Sequence, residues 1–290
     1  MIRKLLRTLV GPKLIIRLCN MAQPKNTRAA VLLQLTDIHL HAADDARMEG
    51  INTHEALLTV LNHAQQDSRW PPDAIVVTGD IVQDENEAAY ERFREALQPF
   101  GLPVLCIPGN HDDPEIMTEV LTNPPFQLCG DAKLGKWRLI MLSTFQKGEV
   151  AGTLGRERLE QLAETLSRDP QEHVLICMHH QPLPVGSAWL DRYALTDAVD
   201  FLNTIDRHDH VRAVLWGHVH QVSDRQRRNV RFLSTPSTCF QFRPETQTCE
   251  YDSRPPALRW LALEPNGMLT TEVDWVDTAV KTSPLITSTQ

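Results

Sequence analysis

Five short apolar runs constrain this chain more than any other feature. They are VLLQLTD (31–37), AIVVTGD (74–80), VLCIPGNHD (104–112), HVLICMHH (173–180) and VRAVLWGH (211–218). Each is rich in Val, Ile and Leu and lacks the strict polar alternation of a strand with one wet face. Each therefore reads as a strand covered on both sides. Helical patterns lie between them. NTHEALLTVLNHAQQ opens on Asn52 with Glu55 three residues on, a capping-box-like start. NEAAYERFREAL starts at Asn86, carries acids in its first turn and aligns Tyr90, Phe93 and Leu97 on one stripe. GRERLEQLAETLSRD places Leu159, Leu162 and Leu166 on one side. Strand alternating with helix predicts an α/β fold. After residue 228, VRFLSTPSTCFQF, ALRWLALEP and LTTEVDWV predict successive strands in a second sheet, with PNG (265–267) as a hairpin turn.

In such folds sites form at the carboxyl ends of strands, and here those ends carry the chemistry. The first run delivers Asp37 and His39, and the second delivers Asp80 after Gly79. The third delivers Asn110, His111 and Asp112, the fourth His179 and His180, and the fifth His218 and His220. In an extended chain, residues i and i+2 share a face, so Asp37 with His39, and His218 with His220, are each expected to reach one site. The glycines at 79, 109 and 217 allow close backbone approach. All donors are oxygen or imidazole, a mix suited to manganese, iron or zinc. Their number exceeds the needs of one tetrahedral metal and suits two metals sharing a carboxylate. Taken singly, a D-x-H or a GD is a weak signal and has an ordinary surface reading. All five in order, each after a β-like run, are not.

Composition bounds the alternatives. With 290 residues, 42% of them apolar, the chain can bury a sizeable core. The net charge of −8 argues against a nucleic-acid polymer as partner. Seven of the 29 bases precede the first acid, Asp37, leaving 22 bases against 37 acids, or −15, for the body. The basic arm MIRKLLRTLVGPKLIIRLCN has no small-residue cleavage site and is interrupted by Arg7, Gly11-Pro12 and Arg17, so a secretory signal is not expected there. Residues 1–28 are expected outside the fold, 29–277 as one domain, and 278–290 as a disordered tail. Membrane contact is expected only through the arm. Six cysteines without a CxxC point to a reduced, cytoplasmic chain.

The ordered motifs D37-x-H39, G79-D80, G109-N110-H111-D112, H179 and G217-H218-x-H220 resemble the calcineurin-like metallophosphoesterase superfamily. QLTDIHL, PGNHDD, WGHVHQ, STPSTCFQF and PALRWLALEPNG are further similar to bacterial class III 3′,5′-cyclic-nucleotide phosphodiesterases. The resemblance implies a four-layer αββα sandwich of two mixed sheets flanked by helices. It implies two divalent ions, iron or manganese, with zinc as a further option. Asp37, His39, Asp80 and His220 would hold one ion; the bridging Asp80 with Asn110, His179 and His218 would hold the other. The choice of His179 over His180 rests on the resemblance, since spacing leaves both open. His111 would be a catalytic non-ligand facing the substrate, and His39, Asp80, Asn110 and His111 would line the substrate site. Asp112 and His180 are candidates for orienting the ligands. The implied reaction is attack of a metal-bridging hydroxide on a phosphodiester, 3′,5′-cyclic AMP giving 5′-AMP, by a monomer or homodimer. Two other readings stand beside it. One is a broader phosphodiesterase for glycerophosphodiesters, 2′,3′-cyclic nucleotides or lipid-linked pyrophosphates. The other is a metal-bound scaffold that binds a partner.

Overall fold

The first apolar run divides its side chains between two cores. Leu33 and Leu35 pack among helical residues, whereas Leu32 packs among strands of another sheet. That period-two division recurs in the other runs and builds four layers. The computed structural model describes residues 28–277. Its main strands are β1 (Ala30–Leu35), β2 (Ala74–Val77), β3 (Val104–Cys106), β4 (Phe126–Leu128), β5 (Gly130–Leu134) and β6 (Trp137–Met141). They continue with β7 (His173–Cys177), β8 (Val211–Trp216), β9 (Ser223–Arg227), β10 (Val230–Ser234), β11 (Ala257–Leu263) and β12 (Leu269–Trp275). The helices are α1 (Thr53–Gln66), α2 (Glu87–Leu97), α3 (Pro114–Val120), α4 (Gly155–Arg168) and α5 (Ala198–Ile205).

Two mixed sheets of six strands result. The first runs β12-β11-β1-β2-β3-β4, with β1 to β4 parallel and β11 and β12 antiparallel. The second runs β9-β10-β8-β7-β6-β5, parallel except for the outer pairings of β9 and β5. Leu32, Val76, Leu105 and Leu261 of the first sheet meet Leu139, Leu175, Leu215 and Leu233 of the second in a dry layer. Helices α1 to α3 cover the outer face of the first sheet through Leu57, Leu61, Phe93 and Met117. Helices α4 and α5 cover the second through Leu162, Leu166, Phe201 and Ile205. Each buried Leu or Phe contributes about 1.5–3 kcal/mol over exposure, so the apolar runs fix the layers and leave their polar ends at one rim.

Both expected caps form. Asn52 accepts from the Glu55 amide to start α1, and Asn86 accepts from Ala88 to start α2. The late strands do not join into one second sheet, although Gln241–Phe242 pairs with Tyr251–Asp252 in a two-stranded ribbon. β10 joins the second sheet, while β11 and β12 extend the antiparallel edge of the first. The hairpin β5–β6 carries no apolar run in its first strand, GDAKL, which is why nothing in the pattern predicts it. Arg28, assigned to the arm, pairs with Asp73 through Nη1 at 3.0 Å. The remainder of the arm and the tail from 278 lie outside the described residues. No helix among the described residues is long and apolar enough to cross a membrane.

Candidate metal centre

The donors sit just beyond the strands. β1 ends at Leu35, β2 at Val77 and β8 at Trp216. The expectation of an extended chain here needs correction. Asp37, His39, Asp80, His218 and His220 all have left-handed backbones, with φ of 52°, 52°, 49°, 65° and 47°. Residues i and i+2 still face one centre, but through alternating left-handed bends. Each such non-glycine residue costs about 1–3 kcal/mol, and such outliers cluster at functional sites. Neighbouring loops hold them in place. Ile38 and His39 amides donate to the Asp80 carbonyl at 2.8 and 3.0 Å, and Leu40 donates to Ile81 at 2.9 Å. Asp112 braces the same loops from beneath, accepting from Ile81 N (3.1 Å), Gly109 N (2.8 Å) and Tyr90 Oη (3.0 Å). Asp112 therefore positions backbone and offers no free oxygen to the centre. Burial and the nearby Asp80 charge push its carboxyl up to about 6.

Three histidines are pinned at Nδ1 by atoms that only accept. His179 Nδ1 meets Thr78 O at 2.7 Å, His220 Nδ1 meets Phe240 O at 2.8 Å, and His39 Nδ1 meets Gln83 Oε1 at 2.9 Å. Each Nδ1 therefore carries a proton, and each Nε2 is the nitrogen left to face the centre. These atoms converge. His179 Nε2 lies 3.2 Å from Asn110 Oδ1 and 3.3 Å from Asp80 Oδ2. His220 Nε2 lies 3.4 Å from Asp37 Oδ1 and 3.2 Å from His39 Nε2. Asp80 Oδ2 is 3.9 Å from His39 Nε2, so this carboxylate stands between His39 and His179. Donor atoms of Asp37, His39 and His220 fall within 4.8 Å of one another, as do those of Asp37, Asp80 and His179.

His180 differs. Its Nδ1 meets Thr144 Oγ1 at 2.7 Å and its Nε2 meets Val150 O at 3.0 Å. Both nitrogens have hydrogen-bond partners, although the ring lies against His179 and His218 and donor atoms of the three fall within 4.8 Å of one another. His218 is the opposite case: its Nε2 is buried without a hydrogen-bond partner among the described residues. His111 sits edge-on to His39 with ring centroids 5.1 Å apart, and its amide donates to Asp80 Oδ1 at 2.9 Å. His111 and Asn110 are partly exposed, whereas the other donors are buried.

The electrostatics follow from burial and proximity. Burial drives His39 and His180 down to about 3, and burial with His180 and His179 holds His218 well below the usual range. Burial also lowers His179, but the Asp80 carboxylate outweighs it and lifts the ring to about 9, so without a cation Nε2 holds a second proton that a bound metal would displace. Burial raises Asp80, yet His179, His111 and His39 together hold it well below the usual carboxylate range. Facing lone pairs on His39 and His220, an orphaned buried nitrogen on His218 and two buried carboxylates fit divalent cations. Gly109 and Gly217 make the closeness possible. A Cβ at Gly109 would stand 2.2 Å from Asp80 Oδ1, and one at Gly217 would stand 2.0 Å from Thr36 Oγ1.

One neighbour escaped the sequence reading. Gln83 aims His39 and carries no signal beyond its place three residues after Asp80. Phe240 and Phe242 flank His220, with Phe242 stacked on it at 4.5 Å, and Tyr251 continues the row outward at 44% exposure. His54 and His63 stay on α1, and His63 pairs with Asp274 at 3.7 Å. Arg227 and Arg228 pair with Asp206.

Residues 30–222 match the family described as calcineurin-like phosphoesterase. The chain is 36% identical over 249 residues to the 3′,5′-cyclic adenosine monophosphate phosphodiesterase CpdA of Haemophilus influenzae, spanning 86% of this chain and 90% of that protein. It is 37% identical to the CpdA of Escherichia coli K12 over 83% of this chain and 88% of the relative. Among solved structures, a dimetal phosphatase from Danio rerio superposes with a TM-score of 0.61 at 12% identity, covering 86% of this chain and all of that one. GAP50, the anchor in the inner membrane complex of Plasmodium, superposes with a TM-score of 0.60 at 10% identity, covering 86% of this chain and 85% of that one. Fold alone thus does not separate enzyme from scaffold; the donors and the sequence relatives carry that weight. With two thirds of its length in the family match and these relatives along most of its length, the chain belongs to the calcineurin-like phosphoesterase family.

Proposed function

We propose that this protein hydrolyses 3′,5′-cyclic AMP to 5′-AMP using two divalent metal ions, manganese or iron foremost. The observation that carries this reading is the intact set of metal-ligating atoms converging around Asp80. The CpdA relatives support the substrate. Asp37, His39, Asp80 and His220 would hold one ion, and Asp80, Asn110, His179 and His218 the other. Bound there, the ions supply Lewis acidity, activating water and neutralising charge on the phosphoryl oxygens. The chain's own groups do the rest. Thr78, Phe240 and Gln83 keep the three rings in the productive tautomer. Asn110 adds a neutral oxygen, so the second position gains no further negative charge. His39, Asp80, Asn110 and His111 line the face that meets the substrate. His111, partly exposed above the carboxylates, donates a proton to the 3′-oxygen as the P–O3′ bond breaks and water oxygen joins phosphorus. Phe242 and Tyr251, backed by the buried Phe240, offer a wall on which a purine stacks. Thiols free at Cys106, Cys129, Cys177, Cys239 and Cys249 support a reducing, cytoplasmic setting.

The test is 5′-AMP formation by purified protein with manganese or iron. A rate no higher than that of His111→Ala overturns the substrate assignment. A faster rate on a glycerophosphodiester or a 2′,3′-cyclic nucleotide redirects it to the broader phosphodiesterase. Full cellular function of Asp80→Asn favours the scaffold.

A further inference from the structure

A buried cation lies behind the metal centre, between the sheets. Arg259, on β11, is 2% exposed and gives its three nitrogens to neutral acceptors: Nε to Thr235 Oγ1 (2.7 Å), Nη1 to Thr271 Oγ1 (3.0 Å) and Nη2 to Ser234 O (2.7 Å). From Thr235 a chain of contacts leads to the centre. Thr235 Oγ1 donates to Gln34 Oε1, and Gln34 Nε2 donates to Thr78 Oγ1 at 2.8 Å. Thr78 Oγ1 donates to Thr36 Oγ1 at 2.7 Å, and Thr36 Oγ1 donates to Asp37 Oδ2 at 2.7 Å. Gln34, Thr36, Thr78 and Thr235 are fully buried.

Chemistry fixes the direction of every link. A guanidinium only donates and a carboxylate only accepts, so each hydroxyl between them accepts from one side and donates its single proton to the other. The Gln34 amide could reverse the order, but the Trp216 carbonyl 3.5 Å from its Nε2 requires a donor there. The relay therefore runs one way, from the Arg259 charge to Asp37, and aligned hydrogen bonds polarise one another. Its last link shares Asp37 with the His218 amide, which donates to both carboxylate oxygens at 2.9 and 3.0 Å, and adds the one side-chain hydroxyl on Oδ2. Oδ2 takes the Thr36 hydroxyl, while Oδ1 faces His220 Nε2 at 3.4 Å. Two neighbours hold the backbone of Thr36 and Asp37. Ser237 Oγ donates to the Asp37 carbonyl at 2.7 Å, and Thr238 Oγ1 accepts from the Thr36 amide at 3.2 Å. Thr235, Ser237 and Thr238 all belong to STPSTCFQF, and Arg259 belongs to PALRWLALEPNG, so segments far from the metal donors in sequence converge behind one of them.

We propose that Arg259 is a positioning residue, whose charge, carried through Thr235, Gln34, Thr78 and Thr36, sets the orientation and donor strength of Asp37. This rests on the reading of Asp37 as a metal ligand. The experiment titrates manganese into the chelator-stripped full-length chain by calorimetry, comparing wild type, Arg259→Met, Thr36→Val, Thr36→Ser and the Arg259→Met/Thr36→Val double variant. Loss of a residue that orients a ligand weakens metal binding about 10–100-fold. That loss is expected for one of the two ions in Arg259→Met and in Thr36→Val, with the other unchanged. Thr36→Ser, which keeps the hydroxyl, is expected to bind as wild type. The double variant is expected to be no weaker than either single one, because both cut one relay. Thr235→Val, which keeps the buried charge, tests the same link should Arg259→Met fail to fold. Additive losses, equal weakening of both ions, or wild-type affinity in Arg259→Met overturns the relay alone. A wild-type chain that binds no pair of manganese ions overturns the metal assignment itself.

Discussion

Replacing Gly109 with alanine tests how tightly the centre is built. The added methyl would meet Asp80 Oδ1 at 2.2 Å, Asp80 N at 2.5 Å and His179 Cε1 at 2.7 Å. Ordinary contact begins at 3.4 Å, so the carboxylate oxygen alone must retreat by 3.4 minus 2.2, or 1.2 Å. The retreat is obstructed, because Oδ1 already takes the His111 amide at 2.9 Å and the clashing nitrogen is main chain. Overpacking of this kind costs about 1–3 kcal/mol of stability. A misplacement of about 1 Å in a catalytic constellation costs about 10²-fold in rate. The control is Gly101→Ala, where φ is +62° but no atom lies within 4 Å, so it carries backbone strain and no clash. Thermal melts and kcat/KM on cyclic AMP with manganese separate the two. Gly101→Ala is expected to melt lower and turn over normally, and Gly109→Ala to melt lower and lose about 10²-fold in kcat/KM. Normal turnover and metal content in Gly109→Ala would refute the steric reasoning.

Other outcomes follow from the same geometry. His218→Ala and His220→Ala are each expected to bind one metal equivalent where wild type binds two, read by elemental analysis, and the double variant none. Manganese at about 100 times its dissociation constant adds about 2.7 kcal/mol of stability, or about 5–10 °C in melting temperature for a domain of this size; chelator is expected to reverse it and abolish hydrolysis. Tyr251→Ala removes an exposed ring worth about 1–3 kcal/mol if a base stacks there, so KM for cyclic AMP is expected to rise with kcat nearly constant; an unchanged KM removes the wall from the substrate site. Asp67 caps α1 beside Arg69, which reaches on to Glu272 and Asp274 and lies over the Trp260 ring at 4.8 Å. The Arg69 hydrogen bond holds the Asp67 carboxyl down at about 2. A carboxyl lowered on folding stabilises above its unfolded value, 3.8, and loses that contribution as pH falls toward 2. Asp67→Asn is therefore expected to cost about 0.5–1 kcal/mol at neutral pH and nothing near the bottom of that window in urea titrations; an equal deficit at both pH values would show that the charge contributes nothing.

Much of this centre was legible because of how parallel sheets are made. A strand covered on both faces leaves an unbroken apolar signature, and polar residues at its end stand out. Asp37, Asp80, Asn110 and His218 were found that way. The backbone that aims them was not legible. Left-handed φ at Asp37, His39, Asp80, His218 and His220 follows from hydrogen bonds between loops distant in sequence; Asp and His enter that region more readily than most residues, but the type alone does not say which of them will. The division of the late strands was hidden for a related reason. β10 and β11 are both apolar, and nothing in such a pattern says which sheet has a free edge to receive them. β5 was missed because an outer strand with exposed faces needs no apolar run.

The pair His179-His180 shows where sequence reasoning stops and why. Both residues follow one apolar run, both are fully buried, and both rings lie against His218. Composition and spacing treat them alike. They differ in what meets their nitrogens. His179 is tied at Nδ1 to a main-chain carbonyl and keeps Nε2 toward Asp80 and Asn110. His180 is closed at both ends by Thr144 and Val150, and its ring fills the space where a Cβ of residue 152 would stand, 2.3 Å from Nδ1. One ring turns Nε2 toward the centre and the other has both nitrogens committed to Thr144 and Val150. The distinction rests on Thr78, Thr144, Val150 and Gly152, none adjacent to the pair in sequence. A histidine's availability to a metal is thus set by the partner of its other nitrogen, and here that partner is supplied by tertiary structure.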